Sequence, residues 1–426
     1  MQLKPPRPIV TTLAAATCAL LGSGRAEAAE GDPKRWSFDT AVLYYGETDR
    51  VTDLSANVLV RRLFQRGGQL SLRLSVDSLT GASASGAAPA SIPQTFTTPS
   101  GKGSYQTPAG ETPLDDTFLD TRAALDVNWA RQVGSRSGVD AGVSLSNEYD
   151  YLHGGLNGRF THDFNERNTT LFAGLALGYD TISPVGGAPI PFAAMLPAGQ
   201  SGNKAGDDSK TVGDLVLGVT QVLGERTLGQ FNYSLSRSDG YLTDPYKMLS
   251  VVDPVTGEPV PGSGGLDLYR FESRPDRRTK HSLYTEVRHG FTRDIVDGSY
   301  RFMTDDWGVR SHTVDLRYRF RRTRFYVEPH LRLYTQTAAD FYRAVLFDGD
   351  ALPDHASADY RLGDLDAITL GLQFGHPFGD GKEWTIRLEA YRQSGRSPPE
   401  ARVGALQAFD LFPTVDALIV QAGYRF

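Results

Sequence analysis

Leu418-Ile419-Val420-Gln421-Ala422-Gly423-Tyr424-Arg425-Phe426 is the stretch that decides how this chain is read. Leu418, Val420, Ala422, Tyr424 and Phe426 fall on one face of an extended segment; Ile419, Gln421, Gly423 and Arg425 fall on the other. A period of two gives a strand with one apolar face and one mixed face. The cleanest repeat of the pattern is Gln69-Leu70-Ser71-Leu72-Arg73-Leu74-Ser75-Val76-Asp77, where leucine and valine alternate with polar residues.

Working outward from these two segments, the alternation predicts strands over Trp36–Tyr45, Leu54–Phe64, Gln69–Asp77, Leu119–Trp129, Val139–Ser146 and Leu152–Phe164. Thr169–Tyr179, Val212–Leu223, Thr227–Leu235, His281–Phe291 and Ile295–Met303 follow. His312–Phe320, Phe325–Gln336, Ile368–His376, Trp384–Gln393 and Ala417–Phe426 complete a set of about sixteen. Short turns such as Gln65-Arg66-Gly67-Gly68 and Gly224-Glu225-Arg226 alternate with mostly longer loops near 79–116, 181–210 and 237–278. Pro329 cannot donate to a ladder, so a bulge or break is expected there.

Alternating connection lengths describe a single antiparallel transmembrane β-barrel, all-β, with short turns on one side of the membrane and long loops on the other. Hydrocarbon offers no hydrogen bonds, so a sheet enters lipid only by closing on itself. An even strand number puts both ends on the short-turn, periplasmic side. Trp36, Trp129, Phe164, Phe291, Phe320, Phe325, Trp384 and Phe426 gather at short-turn ends. Tyr44, Tyr149, Tyr151, Tyr179, Tyr241, Tyr334 and Tyr391 gather near long-loop ends, which predicts two aromatic girdles at the membrane surfaces.

Charges follow the polar parity of their strands. Arg73, Asp77, Asp120, Arg122, Asp126, Arg159, Asp163, Glu286, Arg288, Asp315, Arg317, Glu328, His330, Arg332, Arg387 and Glu389 are the expected lumen-lining residues. A basic residue on the lipid face costs roughly 2–4 kcal/mol at the midplane. Arg62 departs from the rule in one register, near a strand end from which it can snorkel. Positive and negative lumen charges nearly balance, and Glu286 with Arg288 or Asp315 with Arg317 can pair. Strong ion selectivity is therefore not expected.

Lys4 and Arg7, the apolar run Ile9–Leu21 and Ala26-Glu27-Ala28 predict a cleaved signal peptide over 1–28 and a barrel over 29–426. Cys18 is the one cysteine and lies inside that leader, which leaves no disulfide framework or thiolate site in the mature chain. Without 1–28 the chain has 41 basic and 49 acidic residues, a net charge of −8 that argues against a nucleic-acid partner. There is no Walker loop, HExxH, GxSxG or cysteine cluster. No catalytic, cofactor-binding or metal-binding residue is assigned, no cofactor is expected, and an enzyme is the least favoured reading. The acidic stretches Asp348-Gly349-Asp350 and Asp207-Asp208 read as solvated loop charge rather than a Ca²⁺ loop. Asp305-Asp306-Trp307-Gly308 reads as a turn with an interfacial tryptophan.

The closing strand with its terminal phenylalanine resembles that of bacterial outer-membrane barrels, which implies recognition by the barrel-assembly machinery through Phe426. Several segments together resemble an uncharacterised bacterial family, the domain of unknown function DUF3570. They are Val76-Asp77-Ser78-Leu79-Thr80-Gly81-Ala82-Ser83, Gly240-Tyr241-Leu242-Thr243-Asp244-Pro245-Tyr246-Lys247 and Arg274-Pro275-Asp276-Arg277-Arg278-Thr279-Lys280-His281. Asp305-Asp306-Trp307-Gly308, Gln336-Thr337-Ala338-Ala339-Asp340-Phe341-Tyr342 and Ser357-Ala358-Asp359-Tyr360-Arg361-Leu362-Gly363 add to them. The resemblance implies an integral barrel of the Gram-negative outer membrane, in contact with its lipid. It also implies loops that pack on one another or inward, and a setting beside extracytoplasmic redox proteins, with any periplasmic partner unidentified. Two functions stand open at this point: a porin-like channel for small solutes, passive or loop-gated, and a plugged structural or export barrel that docks a periplasmic or surface partner.

Overall fold

The computed structural model describes residues 36–64, 67–379, 381–396 and 398–426. The expected leader with Cys18 lies outside them, as do Gln65 and Arg66 of the first short turn. Sixteen strands form one closed antiparallel barrel. They are β1 (Trp36–Glu47), β2 (Val51–Phe64), β3 (Gly68–Ala84), β4 (Leu114–Val133), β5 (Ser137–Asn147) and β6 (Tyr151–Phe164). Next come β7 (Thr169–Ile182), β8 (Asp208–Gly224), β9 (Thr227–Gly240), β10 (Arg277–Gly290) and β11 (Ile295–Asp305). β12 (Arg310–Arg321), β13 (Tyr326–Gln336), β14 (Leu365–Phe378), β15 (Lys382–Gly395) and β16 (Val415–Arg425) complete it. Each strand pairs with the next, and β16 returns to β1 with Asp39 opposite Arg425 and Glu47 opposite Ala417. Closure leaves no edge whose backbone groups lipid would strand.

The outward face carries the apolar side chains. Leu156, Leu175, Leu177, Leu370 and Leu388 are all more than half exposed, which a monomer in water would not tolerate as a continuous belt. Crossing the hydrocarbon takes about 9–11 residues of tilted strand. β3 has 17 residues and β4 has 20, so this part of the wall stands above the lipid. Those extensions were not visible as alternation, because polar and apolar residues mix on the same face there, as in Leu114-Asp115-Asp116-Thr117-Phe118.

The girdle at the short-turn ends is present: Trp36, Trp129, Phe164, Phe291, Phe320, Phe325 and Phe426 are exposed. Arg62 faces outward among them, opposite Trp36, with its guanidinium 5.0 Å above the Trp36 ring and 4.9 Å above Phe64. The second girdle is smaller than predicted. Tyr44, Tyr149 and Tyr179 are exposed on the outside. Tyr151, Tyr334 and Tyr391 instead share the parity of Arg159, Arg332 and Glu389 and turn inward. Tyr334 donates to Gln336 Oε1 at 2.6 Å, Tyr391 donates to Gln393 Oε1 at 2.8 Å, and Tyr151 donates to Asp180. The inner wall supplies these acceptors, so no head group is needed. Tyr241 lies in a long loop.

Pro329 faces outward. The β12–β13 ladder skips Tyr318 and Arg319, opposite Glu328 and Pro329, and resumes in the same register at Phe320–Val327. The ladder is thus broken rather than bulged, as the missing N–H requires.

Three outer connections are tight (48–50, 148–150, 306–309) and five are long (85–113, 183–207, 241–276, 337–364, 396–414). The long ones are folded. Gln94–Thr97 pairs with Ser104–Thr107 as a hairpin. Met248–Val252 pairs antiparallel with Tyr269–Phe271 and parallel with Val345–Phe347, joining loops 241–276 and 337–364 in one small sheet.

Candidate functional site: a loop plug above a charged lumen

The sixteen charged residues picked out in the sequence all sit on the wall parity opposite the exposed leucines and valines. Many are paired. Asp77 meets Arg122 at 2.5 Å, Arg288 meets Asp297 at 2.5 Å and Glu286 at 3.3 Å, and Glu328 meets Arg319 at 2.5 Å. Arg317 lies 3.3 Å from Asp315, and Asp163 accepts from Thr170 at 2.7 Å. Arg73 and Asp126 are register partners, as are Asp315 and Arg332. Arg387 donates to Gln373 at 2.9 Å. Arg159 lies over the Phe172 ring at 4.5 Å. Asp120 is fully buried and accepts from the Thr121 N–H at 2.7 Å.

His330 joins three strands. Its Nδ1 lies 2.8 Å from Glu389 Oε1 and its Nε2 lies 2.9 Å from Asp315 Oδ2. A neutral imidazole has one N–H and can donate to only one of the two carboxylates. Level with His330, Arg317 is 45 % exposed, and nearer the short-turn end Arg288 is 55 % and Arg425 54 % exposed. These lumen-facing side chains are therefore accessible to solvent.

On the outer side the long loops pack on one another. Leu242, Trp307, Val309, Phe341, Leu362 and Phe412 form one buried cluster, drawn from four connections. The sequence reading of Trp307 as an interfacial anchor is corrected here. Trp307 is 4 % exposed, meets Phe341 edge-on at 5.0 Å and donates from Nε1 to Arg277 O at 2.8 Å. The Arg278 guanidinium covers its other side at 4.2 Å. Gly308 makes the turn possible, with φ of +85° and a Cβ position 2.2 Å from Asp340 Oδ1. Gly395, at the end of β15, is packed against Phe412, whose ring would lie 1.9 Å from an added Cβ.

Beneath these apolar groups lies an ion network that the sequence reading did not single out. Arg361 meets Asp359 at 2.5 Å and Asp244 at 3.0 Å. Arg274 meets Asp359 at 2.9 Å and Glu272 at 2.6 Å. Glu272 also accepts from the Asp244 N–H at 2.6 Å and from Ser357 Oγ. Lys247 donates to Ala84 O. Three acidic and three basic side chains meet here, and burial pushes the Glu272 carboxyl up. Burial opposes ionisation of Asp359, but Arg361 and Arg274 outweigh it and hold that carboxyl well below its ordinary range. Burial pushes Lys247 down. The available signal was positional: Asp244, Lys247, Arg274, Asp359 and Arg361 all lie in the segments that carried the family resemblance, and Glu272 lies two residues before one of them.

A cavity of about 340 Å³ opens between loops 85–113, 183–207 and 241–276, lined mainly by apolar groups and by Lys102, Lys204 and Lys247. Among the described residues no three His, Cys, Asp or Glu side chains are grouped to hold a metal ion.

A family model described as a protein of unknown function (DUF3570) matches residues 10–426. No curated protein matches the chain. Among solved structures, a bacterial polysaccharide outer membrane secretin is similar at 10% identity, TM-score 0.45, covering 93% of this chain and 99% of that one. The CymD monoaromatic hydrocarbon channel is similar at 8% identity, TM-score 0.39, covering 92% and 88%. The siderophore receptor PirA from Acinetobacter baumannii is similar at 10% identity, TM-score 0.41, covering 85% of this chain; the chain spans about half of that receptor's length (53%).

Proposed function

The chain belongs to DUF3570, a family of proteins of unknown function, and on that footing we propose that it is a loop-gated, non-enzymatic barrel of the Gram-negative outer membrane, shut at rest and passing small solutes when its loops part. One observation supports this reading: above a charge-lined lumen the outer loops are knit together by a buried ion network. A passive porin would hold its mouth open to solvent. In this reading outer-membrane lipid contacts the leucine belt. The assembly machinery recognises the closing strand, whose Phe426 N–H donates to Phe38 O at 2.9 Å.

A second reading shares the packed outer loops: a plugged barrel that never conducts and docks a periplasmic or surface partner. The plug's own apolar clusters and small sheet favour it, because they give the loops a stable fold independent of any flow. Conductance in planar bilayers separates the two. The unaltered barrel is expected to be silent for most of the record with discrete openings, and removal of 241–276 should give a steady current. A steady current from the unaltered chain would refute the plug. Complete silence of both would favour the docking barrel.

A further inference from the structure

We propose that the cavity between loops 85–113, 183–207 and 241–276 is a binding site for a small organic anion, one acidic group on a mostly apolar body, taken from the outer face. At about 340 Å³ it lies at the lower end of the range of small-molecule sites, roughly 300–1,000 Å³. Met195, Met248, Phe271 and Tyr105 give it an apolar floor and walls. That lining would accept a chain or a ring but cannot satisfy a charge.

The charge is met by Lys204. Its Nζ donates to Pro99 O at 2.9 Å and Val185 O at 3.1 Å, and lies 5.7 Å from the Phe271 ring. An ammonium has three donors, so one is left over. Among the described residues no carboxylate reaches ion-pair distance of it. Backbone carbonyls solvate a cation but do not neutralise it, and burial pushes this lysine down to about 8. Lys102, exposed at the cavity's edge, adds positive potential where an anion would enter. Asp244, an acidic group of the lining, is already matched by Arg361 at 3.0 Å. Asp115 is the one other acid of the lining and is buried. A cationic ligand would face the lysines; a neutral apolar one would leave Lys204 without its counter-ion.

The site is tested by equilibrium binding and does not depend on whether the barrel conducts. The full barrel in lipid nanodiscs is titrated calorimetrically with octanoate and benzoate, and with octanamide and benzamide as neutral matches, each against protein-free nanodiscs. Both acids should bind at least tenfold more tightly than their amides. Lys204→Met should cost the acids tenfold or more and leave the amides unchanged, and Lys204→Arg should retain binding. Equal binding of acid and amide, unchanged binding in Lys204→Met, or no binding of either acid would overturn the proposal. If Lys204→Met fails to fold, shown by loss of the heat-dependent shift in gel mobility, the acid-against-amide comparison on the unaltered chain decides it.

Discussion

At the scale of single residues, the plug is most sensitive where charge is buried. Arg274 bridges Glu272 and Asp359, and all three are almost wholly removed from solvent. Arg274→Met leaves two carboxylates facing each other without their shared cation. Breaking a buried pair in this way costs about 3–5 kcal/mol. We expect a loss of that order in denaturant titrations of the barrel refolded into lipid, with partial recovery when Glu272→Leu is added. Full additivity of the two changes would show that the residues do not act as one network. Trp307→Ala should cost about 3–5 kcal/mol by cavity formation, seen in the same titration. A loss under 1 kcal/mol would contradict its burial against Phe341. Trp307 was illegible in the sequence because its burial depends on Phe341 and Arg278, which lie in two other segments. The inward tyrosines were legible. Tyr334 shares parity with Arg332, and Tyr391 with Glu389, and parity should have outranked the expectation of a surface girdle.

At the scale of elements, the sixteen strands could be read because lipid imposes one rule on every residue of a strand. Period two is then written continuously, as in Gln69–Asp77. Above the lipid that rule lapses, which is why β4 starts at Leu114 rather than Leu119. The loops obey no period at all; they fold through contacts between segments distant in the chain. One such contact carries a pH dependence. Asp150, in the tight connection 148–150, accepts from the Tyr246 hydroxyl of loop 241–276 at 2.6 Å. Burial pushes the Asp150 carboxyl up to about 6, against the opposing effect of that hydrogen bond. A raised acid binds more protons folded than unfolded between about pH 4 and 6. Stability therefore falls as pH rises through that window, by about 3 kcal/mol at most. Hydrogen exchange in 241–250, corrected for intrinsic rates, should show more protection at pH 4.5 than at pH 7. Asp150→Asn keeps an acceptor for Tyr246 and should abolish the difference. A difference of unchanged size in that variant would assign it to another group.

At the scale of the whole molecule, acid does not loosen the plug's centre. The Asp359 contribution is lost only as pH falls through its own strongly depressed value, far below the range in which the barrel would work. The lumen pattern was legible from parity; the packing of the outer loops was not, because it is decided by which loops meet. Those loops meet through the parallel alignment of Ser250, Val251 and Val252 with Val345, Leu346 and Phe347. Between those two segments the chain traverses the wall four times, through β10, β11, β12 and β13. Neither segment can swing aside as an independent flap, since each completes the other's backbone bonding. Excising 241–276 should therefore make 337–364 susceptible to external protease in intact cells, a site resistant in the unaltered chain. Resistance preserved after excision would mean that each flap stands alone. The small sheet is thus a two-part lock on the loops, and it forms only after both parts have been delivered to the same side of the bilayer.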